Sequence, residues 1–123
     1  MTLLYEELSG AILGSCFEIS NELGPGFLES VYEKALLVAL RQKGLSARSQ
    51  VPLAVFFRGE NVGDFFADII VEEKIILELK TCKALTPEHQ AQLINYLNAT
   101  KMNVGLLINF GTPKLEYKRL HRF

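Results

Sequence analysis

Asp68, Glu78 and Lys80 are charged positions inside runs that otherwise read as buried strands, Phe65-Phe66-Ala67-Asp68-Ile69-Ile70-Val71 and Ile75-Ile76-Leu77-Glu78-Leu79-Lys80. Acids and lysines are rarely buried without a partner. An unpaired buried ion costs several kcal/mol, against a domain stability of about 5 to 15 kcal/mol. Such residues must be paired, solvated in a cleft, or bound to a metal. Two carboxylates, with backbone carbonyls and waters, suit a hard cation such as magnesium. Lys80 lies two residues beyond Glu78 and therefore on the same face of a strand, where it can hold or deprotonate an attacking water. Together the three describe metal-assisted hydrolysis of a phosphodiester. The alternative reading is a solvated polar face on a half-exposed sheet, because an acid followed two residues later by lysine is common in strands.

Register separates these readings. Residues directly opposite each other in an antiparallel pair share a face. A three-residue loop Glu72-Glu73-Lys74 sets Val71 opposite Ile75, Asp68 opposite Glu78 and Phe66 opposite Lys80. Both carboxylates then project side by side, an unfavourable pairing that a bound cation relieves. A two-residue loop would set Asp68 against Leu79 instead.

The elements that must position these residues follow from periodicity. Leu4, Leu8, Ile12, Cys16, Ile19 and Leu23 recur at three- and four-residue steps, the stripe of an amphipathic helix, which Gly24-Pro25-Gly26 stops. A second helix is expected from about Leu28 to Lys43, with Val31, Tyr32, Ala35, Leu36 and Ala39 inward and Gly44 as its left-handed cap. Gln50 to Phe57, Asp64 to Val71 and Ile75 to Cys82 then read as three consecutive antiparallel strands broken at Arg58-Gly59-Glu60-Asn61 and Glu72-Glu73-Lys74. Thr86-Pro87-Glu88 opens a helix reaching about Thr100. Val104 to Phe110 is a buried strand, and Leu115 to Leu120 an edge strand or short tail. The order α-α-β-β-β-α-β gives an α/β fold whose last core strand lies parallel to the third through a helical crossover.

On the third helix, His89, Gln92 and Tyr96 fall on one stripe beside Leu93 and Leu97. Each also has an ordinary reading: a first-turn residue, a surface amide and a core aromatic with a wet hydroxyl. Glu29 and Tyr32 likewise read as a first-turn acid and a core aromatic.

A formal charge of -1 on 123 residues excludes a binder that works through a generally basic surface. The charge is uneven: Met1 to Glu33 holds six acids and no Lys or Arg, whereas Lys101 to Phe123 holds Lys101, Lys114, Lys118, Arg119 and Arg122 against Glu116 alone. With 49% apolar residues the chain can bury a core as one domain, 1–123, without disulfide or structural metal. Cys16 and Cys82 form no C-x-x-C pair. The acidic first residues and the lack of a long apolar run lead to the expectation of a cytoplasmic protein with no membrane contact.

Gly26-Phe27-Leu28-Glu29-Ser30-Val31-Tyr32 resembles the signature of the GxxExxY family, which is placed in the PD-(D/E)XK nuclease superfamily with the restriction-endonuclease-like fold. The resemblance continues through Phe66-Ala67-Asp68, Glu78-Leu79-Lys80, His89-Gln90-Ala91-Gln92, Tyr96-Leu97 and Gly105-Leu106-Leu107-Ile108-Asn109-Phe110. It implies Asp68 and Glu78 as metal ligands, with the Leu79 carbonyl as a third, and Lys80 as the catalytic lysine. It also implies Gln92 and Tyr96 as a Q-x-x-x-Y element that supports the site or contacts nucleic acid, and Glu29 as an acid that completes the metal site or orients the lysine. Ser20 departs from the pattern, since relatives often carry a histidine just before the glycine turn.

The expectation is a magnesium-dependent nuclease, with manganese as substitute, acting on DNA ahead of RNA. Tyr96, His89, Lys118 and Arg119 would contact substrate, and a second copy or a protein partner would add grip. The competing expectation is a module that binds nucleic acid or protein and keeps the fold without turnover.

Overall fold

The computed structural model describes residues 3–122. Helices α1 (Glu6–Leu23) and α2 (Glu29–Gln42) precede strands β1 (Ala47–Phe57), β2 (Glu60–Val71) and β3 (Ile75–Lys80), followed by α3 (Pro87–Thr100), β4 (Val104–Asn109) and β5 (Glu116–His121). The strands form one mixed sheet in the order β1-β2-β3-β4-β5, with β3 and β4 parallel and the other neighbours antiparallel. This is the α/β architecture expected, and the segment left as strand or tail is β5, an edge strand paired with β4. Among the described residues no helix is long and apolar enough to cross a membrane.

The helices cover opposite faces. Ile12, Cys16 and Ile19 of α1 and Tyr32, Leu36 and Leu40 of α2 pack on Ile75, Leu77, Leu79, Leu106 and Ile108, while Leu93, Tyr96 and Leu97 of α3 pack on Ile76 and Leu107. Alternate residues of β3 and β4 thus enter different cores, as the pleat requires. Val31, expected inward, is exposed, because the buried stripe of α2 runs at four-residue steps through Tyr32, Leu36 and Leu40. Gly44, at φ 76°, ends α2: its N–H donates to Arg41 and that of Leu45 to Leu40, the paired bonds of a Schellman cap.

Strand β1 starts at Ala47, three residues before the expected Gln50, and two further boundaries differ from the sequence expectation for identifiable reasons. The first hairpin is longer, because Arg58 and Gly59 both take positive φ (52° and 82°) and make a two-residue turn, so Glu60 and Asn61 join β2. Strand β3 stops at Lys80, before Cys82, because the Asn109 side chain captures the Cys82 N–H and C=O at 3.0 and 2.9 Å and takes that residue out of the ladder.

The first hairpin also turns over. Ala47, Ile69 and Val71 belong to the α1/α2 core, yet Val51, Leu53 and Ala67 belong to the α3 core. Residues 67 and 69 should share a face, so the alternation breaks between them. The break falls where β1 and β2 pair Ser49 with Ile69 and Val51 with Ala67, leaving Gln50 and Asp68 unpaired between; Gln50 there has φ 49°. A left-handed residue rotates the strand and exchanges its faces.

Candidate active site

The three-residue loop forms as the register argument requires: β2 and β3 pair Val71 with Ile75, Ile70 with Ile76 and Ile69 with Leu77. Pairing then ends, and the expected opposition of Phe66 and Lys80 does not occur. The strands separate at Asp68 and Glu78, the residues next in line. There the side chains replace the ladder: the Asp68 N–H donates to Glu78 Oε1 at 3.3 Å and the Leu79 N–H donates to Asp68 Oδ2 at 2.8 Å. Each carboxylate thereby satisfies a backbone donor that the opened seam would orphan. Among the described residues, Asp68 Oδ1 and Glu78 Oε2 accept no backbone hydrogen bond. The Leu79 carbonyl faces the same opening as its N–H, because both groups of a strand residue project to one side.

Glu78 is 5% exposed. Burial, and next the charge of Asp68, push its carboxyl up to about 8, with the Asp68 N–H and Lys80 opposing. A carboxyl so disfavoured as an anion is one that a bound cation stabilises most. The donor set here is oxygen only, which suits a hard divalent ion. Among the described residues no three His, Cys, Asp or Glu side chains cluster closely enough to enclose a metal, so waters would complete its shell, as magnesium prefers.

Around the opening two sets of side chains meet. On the α3 side, Lys80 Nζ donates to Gln92 Oε1 at 3.4 Å, and Gln92 Nε2 donates to Tyr96 Oη at 3.2 Å. Burial first, then the negative charges of Glu78 and Asp68, raise the Tyr96 hydroxyl above its ordinary value. On the α2 side a cavity of about 160 Å³ is lined by Glu29, Ser30, Glu33, Gln50, Asp68 and Leu79. Gln50 Nε2 donates to Glu33 Oε1 at 2.9 Å and reaches Asp68 Oδ1 at 3.5 Å.

The turn that carries Glu29 into this cavity is held by Tyr32. Its hydroxyl donates to the Gly24 carbonyl at 2.6 Å and accepts the Phe27 N–H at 3.2 Å, while its ring stacks on Phe110 at 4.7 Å. Ser20 is buried in α1, and its carbonyl accepts the Gly24 N–H at the same turn.

Asp68, Glu78, Leu79, Lys80, Gln92, Tyr96 and Glu29 are thus gathered around one opening. The remaining expected residues are not. His89 is half of a capping box, its Nδ1 accepting the Thr86 N–H while its own N–H donates to Thr86 Oγ1. Arg119 pairs with Leu106 and so lies on the α1/α2 face, where its guanidinium bonds Ser9 Oγ and the Leu4 carbonyl. These bonds tie β5 to α1. Lys118 pairs with Leu107, on the face of Lys80, but stands on the far edge strand.

Sequence reasoning missed Glu33 and Gln50. Glu33 carried a usable signal, being one turn beyond Glu29 on the same helix stripe. Gln50 stands opposite Asp68 only in the folded hairpin.

Residues 6–120 match the model of the PD-(D/E)XK nuclease superfamily. No curated protein sequence matches the chain. Among solved structures the chain resembles SSO0001, with a TM-score of 0.60 and 19% identity over 97% of this chain; it spans 60% of the length of that protein. It also resembles LHK-Exo, an alkaline exonuclease from Laribacter hongkongensis, with a TM-score of 0.57 and 12% identity over 100% of this chain and 73% of that one. A complex of LHK-Exo with dAMP gives a TM-score of 0.57 and 13% identity over 96% of this chain and 70% of the other. At these identities the likeness concerns the fold.

Proposed function

The chain belongs to the PD-(D/E)XK nuclease superfamily, and from that premise we propose that it is a nuclease hydrolysing phosphodiester bonds, with DNA ahead of RNA as its substrate and magnesium as its cofactor. The observation that carries this reading is the opened β2–β3 seam, where Asp68 and Glu78 are fixed by reciprocal bonds to the backbone and Lys80 stands beside them on Gln92. PD-(D/E)XK nucleases generally use divalent metals, and the oxygen donors here fit one: Asp68, Glu78 and the Leu79 carbonyl would hold it, with Glu29 nearby across the cavity. Such an ion supplies a Lewis acid and a nucleophilic water at neutral pH.

The chain's own residues do the rest. Lys80 offers an ammonium that holds the attacking water or balances charge on the phosphoryl oxygens. Gln92 restricts Lys80 to one orientation, and Tyr96 fixes the Gln92 amide through its hydroxyl. The Glu33–Gln50 contact steadies Asp68 from the α2 side. The segment from Gly26 to Tyr32 supports assignment to the GxxExxY family, with Tyr32 holding the turn that places Glu29. The overall charge of -1 favours a second copy or a protein partner as a source of grip on a polyanion.

Manganese titration tests this reading directly. Wild-type protein is expected to bind the ion and gain thermal stability, whereas an Asp68→Ala, Glu78→Ala double variant should do neither. Equal binding by the two proteins would sink the proposal, as would a failure of the wild type to cut single-stranded, branched and duplex DNA in the presence of the metal.

A further inference from the structure

The turnover of the first hairpin has a second result. Beyond Gln50 and Asp68 it points Phe65 toward α3, where hairpin and helix enclose a cleft of about 690 Å³. The Phe65 ring lies 5.7 Å from that of Tyr96, inclined at 45°, and is 42% exposed. It rests over Gly63, where a Cβ would come to 3.0 Å from the ring. Along the helix wall, Gln92, Asn95 and Asn98 present side-chain amides at three-residue steps. Amides carry both donors and acceptors.

This lining identifies its occupant by chemistry. Aromatic walls with amide edges match a flat, neutral heteroaromatic group that has its own donors and acceptors. Among the described residues, Glu88 is the one charged lining residue and no Lys or Arg lines the cleft, so a phosphate is disfavoured there. Gln92 belongs both to this cleft and to the Lys80 contact, so a group bound in the cleft adjoins the site proposed for phosphodiester cleavage.

We infer that the cleft holds an unpaired nucleobase beside the scissile phosphate, which makes single-stranded nucleic acid the substrate class. In a closed duplex both faces of a base are stacked and its edge is paired, so neither Phe65 nor the amides can engage it. This inference rests on the nuclease reading for the identity of the neighbouring site, but it has its own observable.

Fluorescence anisotropy in chelator at low salt would compare three probes of equal length: a single-stranded oligonucleotide, the same strand made abasic throughout, and a blunt duplex. The base-bearing strand is expected to bind about tenfold or more tightly than the abasic strand, given the strength of base–aromatic stacking. Phe65→Leu should remove most of that preference, while Phe65→Tyr, which keeps a ring, should retain it. Equal binding of the abasic strand, equal binding of the duplex, or a preference undiminished in Phe65→Leu would overturn the inference. The nuclease reading is judged separately, by whether manganese and Lys80 support hydrolysis of bis(p-nitrophenyl) phosphate, a diester without a nucleobase.

Discussion

Strand β3 has two seams that differ sharply. Toward β4 it is paired along its whole length, from Ile75 with Val104 to Lys80 with Asn109. Toward β2 it is paired only from Ile75 to Leu77, after which Asp68 and Glu78 take over the backbone donors. The closed seam anchors the strand; the open seam places two carboxylates, the Leu79 backbone and a lysine around one gap. A ladder can be interrupted at modest cost when the interrupting side chains are themselves acceptors. Asp and Glu therefore open the seam and equip it with the same atoms.

The largest separation of the two seams should come from Lys80→Ala, which is expected to lower turnover by about 100-fold or more while manganese binding, read by calorimetry, persists. Loss of metal binding in that variant would mean that Lys80 organises the gap itself.

On the closed side, Leu106 is fully buried against the α1/α2 core. Leu106→Ala should cost about 2 to 5 kcal/mol in urea denaturation, with the folded fraction still binding manganese. A selective loss of metal affinity there would show that the seams are not separable.

The open side should carry its own pH dependence. With its carboxyl pushed from an ordinary 4.5 to about 8, Glu78 keeps its proton in the folded chain over a range where the unfolded chain has lost it. The folded state then binds more protons, so stability falls as pH rises between those values. Thermal melts in chelator should show a midpoint declining from pH 4.5 toward pH 8, and Glu78→Gln should flatten that slope; an unchanged slope would assign it to other groups.

The smallest effect concerns Asp68→Asn, which removes one of the charges facing Glu78 while keeping an oxygen for the Leu79 N–H. In chelator at mildly alkaline pH it should stabilise the protein by about 1 kcal/mol or less, and it should abolish the stabilisation by manganese. Destabilisation instead would mean that the charge of Asp68 is needed to hold the opened backbone together.

Much of this arrangement was legible beforehand, for local reasons. The Glu72-Glu73-Lys74 loop fixes which residues of β2 and β3 come level, so the sequence by itself marks Asp68 and Glu78 as neighbours. What followed them was not legible. Register arithmetic assumes that a ladder continues, and it therefore put Phe66 opposite Lys80, although the carboxylates end the pairing. The bonds of Arg119 were not legible either, because its partners Ser9 and Leu4 lie at the other end of the chain.

From the amino-acid sequence by itself came the element types, their order and the level of the two carboxylates, because helical and strand periodicities and a three-residue loop act over a few residues. The tertiary structure alone decided the opening of the β2–β3 seam, the turnover at Gln50 and the meeting of Glu33 with Gln50. Each depends on which backbone donor lacks a partner once separate elements have packed, and no local window of the chain contains that information.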